Sequence, residues 1–254
     1  MATTTTRGAP RRKRALPLRI LKWLVVSLLV LLLAGAAFAT WQGEQRQPIP
    51  TNSILAGHEL LTLDKDIEQA HLCLSYQGLP SLHDDRHAMS AFSTAFGGGV
   101  SSRLFQRVRE DEGLVYNIYA APTFYPDCGE FTIYAACSPA KVGKVLAIVE
   151  EETQRLRAEG FTRQEFEQTM AQLRTGFVLG MESPYQRMAS MGMNMLLHSR
   201  VMEPAQTLAL LRKVSLRKVN RVAQDILAGK PKLAIVGKGI TKRMNKLGGP
   251  YGQA

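Results

Sequence analysis

Acidic residues are missing from both ends of this 254-residue chain: Met1–Gly43 and Gly239–Ala254 contain neither aspartate nor glutamate. Seven basic residues occupy the first stretch (Arg7, Arg11, Arg12, Lys13, Arg14, Arg19 and Lys22), and Lys242, Arg243 and Lys246, with Lys238 just before them, charge the last. The net charge of +11 is therefore terminal, because Glu44–Gly237 balances 21 basic against 21 acidic residues. A neutral body argues against nucleic-acid binding, which gathers Lys and Arg on a folded face. Cysteine is scarce too. Cys73, Cys128 and Cys137 show no C-x-x-C spacing, which excludes a disulfide framework and a thiolate zinc site, and all three are expected to be small buried apolar residues. No repeat of 20–50 residues occurs, and low complexity is confined to Thr3–Thr6. Catalytic signatures are equally absent: no G-x-S-x-G, no phosphate loop, no dinucleotide fingerprint and no H-x-x-E-H.

What is present begins with Trp23–Trp41, an apolar run interrupted only by Ser27 and Thr40. About 20 such residues cross a bilayer as a helix. The basic residues before it predict a cytoplasmic N-terminus and an extracytoplasmic domain. A retained anchor and a signal peptide cleaved after Ala39 both fit, the second through the A-x-A pattern at Ala37–Ala39. The segments expected are 1–22 basic and cytoplasmic, 23–41 transmembrane or signal, 42–65 linker, 66–237 folded domain and 238–254 flexible basic tail.

Within 66–237, alternation predicts a strand over Glu68–Tyr76, and 3.6-residue spacing predicts helices at Asp84–Phe96 and Ser102–Asp111. Leu114–Phe124 and Gly129–Cys137 read as a hairpin. Ser138-Pro139 opens a helix, Thr162–Glu165 is a capping box before a long one, and Ser183-Pro184 opens another. Helical runs follow near Ala205–Val214 and Leu216–Leu227, then a strand at Lys232–Val236. The fold class is α+β: one two-layer sandwich of a mixed, largely antiparallel sheet covered by helices. Met181, Met188, Met191, Met193, Met195 and Met202 are expected in the core, with an adaptable apolar surface as the alternative.

Three candidate chemistries arise. Gly97-Gly98-Gly99 satisfies no phosphate motif and reads as a turn, with Ser101 or Ser102 capping the next helix. His83 and His87 have zinc-compatible i, i+4 spacing, but Arg86 holds the position where a hydrolytic site needs a carboxylate, and His58-Glu59 has no partner at ligand spacing. Arg109 and Tyr116, at a helix end and a strand start with Gly113 between, can converge as two donors onto a peptide carbonyl. Pairing of Arg109 with Glu110, Asp111 or Glu112, and packing of Tyr116 in the core, is the structural alternative.

The run FGGGVSSRLFQRVRE followed by GLVY, with the strand DIEQAHLCLSYQGLP, the helix DDRHAMSAF and the closing KLAIVG, resembles the C-terminal half of pitrilysin/insulinase-family zinc peptidases, which include the mitochondrial processing peptidases. The resemblance spans about Asp66–Gly237. It implies that Arg109 and Tyr116 bind substrate backbone opposite a metal that this chain does not itself carry. It also implies a zinc-bearing partner subunit or a homodimer, peptide substrate, and no activity alone. A non-catalytic scaffold, or a truncated or fused peptidase fragment, are the alternatives. No catalytic residue, metal ligand or cofactor is assigned to the chain itself.

Overall fold

The computed structural model describes residues 60–247. The apolar run 23–41, the basic segment before it and His58-Glu59 lie outside the described residues. Among those described, no helix is long and apolar enough to cross a membrane.

Five strands form one sheet: β1 (Leu60–Asp64), β2 (Ala70–Gln77), β3 (Val115–Phe124), β4 (Gly129–Cys137) and β5 (Lys232–Gly237), in the order β1-β5-β2-β4-β3. Only β1 and β5 run parallel; the other pairs are antiparallel. The mixed, largely antiparallel sheet expected from the pattern is thus present. Alternation sorts the faces, with Ala70, Leu72, Leu74 and Tyr76 on β2 and Phe131, Ile133, Ala135 and Cys137 on β4 in the core. Their neighbours His71, Cys73, Ser75, Thr132 and Tyr134 stay partly or fully exposed on the other face.

The helices are α1 (Arg86–Gly97), α2 (Val142–Glu159), α3 (Arg163–Glu182), α4 (Pro184–His198), α5 (Pro204–Arg212), α6 (Leu216–Leu227) and α7 (Ile240–Leu247). α1 is central: it contacts β3, α3 and α6 and buries Met89, Phe92 and Phe96. Phe92 meets Phe131 of β4 with ring centroids 4.4 Å apart. Gly97 is required at its end, because a Cβ there would lie 2.5 Å from the Ala120 nitrogen of β3. The buried Ser93 hydroxyl donates to the Ala120 carbonyl at 2.9 Å, fixing helix to strand.

Both ends of the domain extend past their expected bounds. β1 lies in the expected linker, and α7, which packs on β1 and β5, lies in the expected flexible tail. The first is a five-residue strand whose ladder comes entirely from β5, at the far end of the domain's sequence, and no local pattern encodes that. The second has only Ile240 and Met244 at i, i+4 to bury, a stripe too narrow to stand out among basic residues. The methionines also depart from expectation. Met188, Met191, Met193 and Met195 are exposed, because α4 packs on α3 and buries none of its described side chains. Of the cysteines only Cys137 is buried, and all three are free thiols. Ser138 makes no side-chain cap; a 3₁₀ turn at Pro139–Lys141 leads into α2 instead.

The capping box forms as expected, with the Thr162 hydroxyl accepting from the Glu165 amide and the Glu165 carboxylate accepting from the Thr162 amide. The same carboxylate receives two bonds from the Arg103 guanidinium, which also donates to the Gly160 carbonyl at 2.8 Å and lies over the Phe161 ring. Burial raises the Glu165 pKa, but the bonds from Arg103 and Thr162 outweigh it and bring the carboxyl from 4.5 down to about 2. A carboxylate whose folded pKa is depressed contributes stability above its unfolded value and loses it as pH falls through the folded one. Glu165→Gln is therefore expected to destabilise the domain by roughly 2 kcal/mol at pH 7. That difference should shrink between pH 4.5 and about 2, read from urea midpoints across the pH range.

Candidate functional site

Residues Phe105–Asp111 do not form the ordinary α-helix expected from their spacing but a π-helix, whose hydrogen bonds each span one more residue. Leu104 and Val108 are buried, while Phe105 is only partly so. The helix closes at Gly113, whose φ of +57° lies in the left-handed region. There the Gly113 amide donates to the Arg109 carbonyl and the Leu114 amide to the Val108 carbonyl, both at 3.1 Å. The second bond encloses the first, so the chain turns out of the helix through a nested closure.

The strand that follows carries a second insertion. Val115 pairs with Cys137 and Asn117 with Ala136, so Tyr116 is the extra residue of a β-bulge. Bulges re-aim side chains and occur preferentially beside functional sites. Here the bulge leaves Tyr116 74% exposed, although Val115 before it and Ile118 two residues on are buried. The alternative, packing of Tyr116 in the core, is thereby excluded. Its ring centroid lies 6.0 Å from the Arg109 guanidinium carbon, so the two side chains do converge.

Arg109 is 41% exposed and stacks over Phe105 at 4.7 Å. Its acidic contact is Glu110 at 4.0 Å, a surface pair worth little. Glu112 is engaged elsewhere: Lys144 binds it at 2.6 Å and Arg107 at 3.1 Å, and these cations hold its pKa below the usual range. Lys141 donates to the Gly113 carbonyl at 3.0 Å. Those contacts tie the loop to the start of α2 and leave most of the five Arg109 donors available. Phe105, Lys141 and Lys144 are thus supporting residues that the sequence pattern does not single out; on spacing alone Phe105 reads as core.

Beyond Tyr116, on the sheet face free of core residues, Tyr119 stacks on Tyr134 at 5.0 Å. The Tyr134 hydroxyl in turn bonds His71 Nδ1 at 2.6 Å. Alternation along β3, β4 and β2 is the available signal for this ring cluster.

The other candidates are not brought together. His83 precedes α1 in a turn, where its Nδ1 accepts the Asp85 amide at 3.0 Å, so it does not share a helical face with His87. His87 Nε2 accepts from Arg86 at 3.3 Å, and burial with the nearby Arg86 and Lys218 cations pushes its pKa down to about 4. Among the described residues no group of His, Cys, Asp or Glu could hold a metal ion, and these two imidazoles do not fit zinc. Ser102 does not cap the following helix; its hydroxyl donates back to the Gly99 carbonyl at 2.6 Å.

Residues 27–173 match the family model described as the peptidase M16 inactive domain. The matched region begins inside the apolar run, well before Asp66. The chain is 35% identical over 195 residues to an uncharacterized zinc protease of Streptomyces coelicolor, covering 77% of this chain and 42% of that protein. It is 33% identical over 178 residues to the uncharacterized zinc protease YmxG of Bacillus subtilis, covering 70% and 44% respectively. The chain thus spans less than half the length of these relatives. Among solved structures, a peptidase M16 inactive domain from Pseudomonas fluorescens is similar with a TM-score of 0.64 at 19% identity, covering 70% of this chain and 43% of that one. Complex III2 from Candida albicans is similar with a TM-score of 0.63 at 13% identity, covering 74% and 49%. Both likenesses concern the fold alone.

Arg109→Ala and Tyr116→Phe are expected to shift unfolding free energy by less than about 0.5 kcal/mol, since both side chains are exposed. Gly113→Ala should cost about 1–2 kcal/mol through its left-handed backbone. Urea denaturation of the three variants checks both expectations.

Proposed function

We propose that this chain, which belongs to the peptidase M16 inactive-domain family, is a non-catalytic half of a peptidase whose Arg109 and Tyr116 bind the backbone of a peptide substrate and complete the site of a zinc-bearing partner chain. The observation that carries this reading is the convergence of the two side chains at 6.0 Å through two one-residue insertions, the π turn and the bulge. A backbone carbonyl of the peptide accepts from the Arg109 guanidinium and from the Tyr116 hydroxyl. Both groups are donors at a solvent-facing position, and neither can activate water as a base. Hydrolytic chemistry is assigned in this reading to the partner's zinc, and this chain's residues orient the peptide. Donors placed on a developing oxyanion are worth about 10²–10³ in rate.

The test is reconstitution with a zinc-bearing family member. The chain alone is expected to bind no zinc and cleave no peptide, yet to raise the partner's activity. Arg109→Ala and Tyr116→Phe should reduce that gain by about 10-fold or more without altering complex formation. Equal activation by the variants would overturn the reading.

We also place the domain outside the cytoplasm, on the support of the apolar run 23–41 behind its basic flank. The expected outcome is retention of the full chain in membranes after carbonate extraction, and release into the soluble fraction if cleavage follows Ala39.

A further inference from the structure

Helix α4 follows α3 after the single residue Ser183, packs on it, and buries none of its described side chains. One flank, through Arg187, Ser190 and Met191, faces a cavity of about 340 Å³ shared with Phe177 and Met181 of α3 and Met202 before α5. The opposite flank is a stripe at spacings of three and four: Tyr185, Met188, Gly192, Met195 and Leu196. Its large members are 72%, 63%, 52% and 81% exposed in that order. Spacing of this kind is that of a helix packed against another helix, and here no described element covers it.

We propose that this stripe is the contact surface for a second copy of the same chain, with the two α4 helices crossing antiparallel at Gly192. Four features of the stripe select that occupant. The stripe is uncharged: Arg187 is the single Lys, Arg, Asp or Glu of α4, and it lines the cavity on the other flank. Two identical copies therefore meet without repulsion, and nothing in the stripe calls for a partner of opposite charge. Gly192 stands at its centre, with nothing within 4 Å of where a Cβ would be, so a second backbone can approach closely. A two-fold axis there sets Met188 of each copy against Leu196 of the other, matching the two most exposed non-aromatic side chains of the stripe. The area also agrees. The four large side chains expose roughly 500 Å² of apolar surface, near what a patch of ~800 Å² per partner at ~65% apolar requires.

The experiment is sedimentation equilibrium of the full chain in mild detergent, with circular dichroism as the folding control. The wild type is expected to be dimeric. Leu196→Glu or Met188→Lys alone should weaken the dimer by more than about 100-fold, because each leaves charges buried against apolar partners. Combining the two substitutions should restore it, since the introduced ammonium of one copy then faces the introduced carboxylate of the other across the axis. Gly192→Cys should form an intermolecular disulfide under oxidant that the wild type, with its three native thiols, does not. A monomeric wild type, a dimer indifferent to Leu196→Glu, absence of rescue in the double variant, or a different protein occupying the stripe would each overturn the proposal. None of these outcomes bears on Arg109 or Tyr116, so this proposal and the functional reading fail separately.

Discussion

The contact between Phe92 of α1 and Phe131 of β4 is the fixed point from which the rest of the domain is positioned. Phe96 and Phe161 lie within 6.5 Å of this pair, so helix, sheet and the loop before α3 meet in one aromatic cluster. Arg103 lies over Phe161 and binds Glu165, which transmits that position to the start of the π-helix. Arg109 stands a turn further on. The candidate site is therefore anchored through packing to the core and through an ion pair to the capping box of α3, though the site itself is exposed.

Rigidity at one end and irregularity at the other are connected. The π turn and the β-bulge each add one residue to a regular element, and each disrupts a hydrogen-bond ladder that a plain helix or strand would complete. Without the bulge, Tyr116 would obey strand alternation; with it, two consecutive side chains, Tyr116 and Asn117, face solvent between buried Val115 and Ile118. The lysines near the start of α2 hold the loop between the two devices by Glu112 and the Gly113 carbonyl. Distortion is thus confined to the segment Phe105–Asn117, while α1, β4 and the rest of β3 around it stay regular.

The two arms of the molecule follow different rules. Around α1 every apolar stripe finds a partner, as the buried faces of α2 and α6 show. Along α4 the stripe has the same three- and four-residue spacing but finds no partner among the described residues. Pattern alone does not distinguish these cases, because both satisfy the same spacing, and this is why the methionines read as core. What separates them is whether another element of the same chain arrives to cover the stripe, which is a property of topology.

Local chemistry was legible wherever its partners lie within a few residues. The Thr162–Glu165 capping box, the Ser183-Pro184 start of α4, and the alternation of β2 and β4 form as their residue types dictate. Arg109 and Tyr116 were also legible as types at a spacing, and Gly113 as the turn between them. The parallel pairing of β1 with β5 was not, nor the burial of α7 or the exposure of α4. Each of these depends on a surface supplied by residues distant in the chain, whose arrival no local window records. That Arg109 and Tyr116 can converge across Gly113 was legible too, but the bulge that turns Tyr116 to solvent belongs to the second group. The sequence determined which two donors exist, and only the tertiary structure, through a π turn closed at Gly113 and a bulge set by the register of β3 on β4, decided that they share one solvent-facing point.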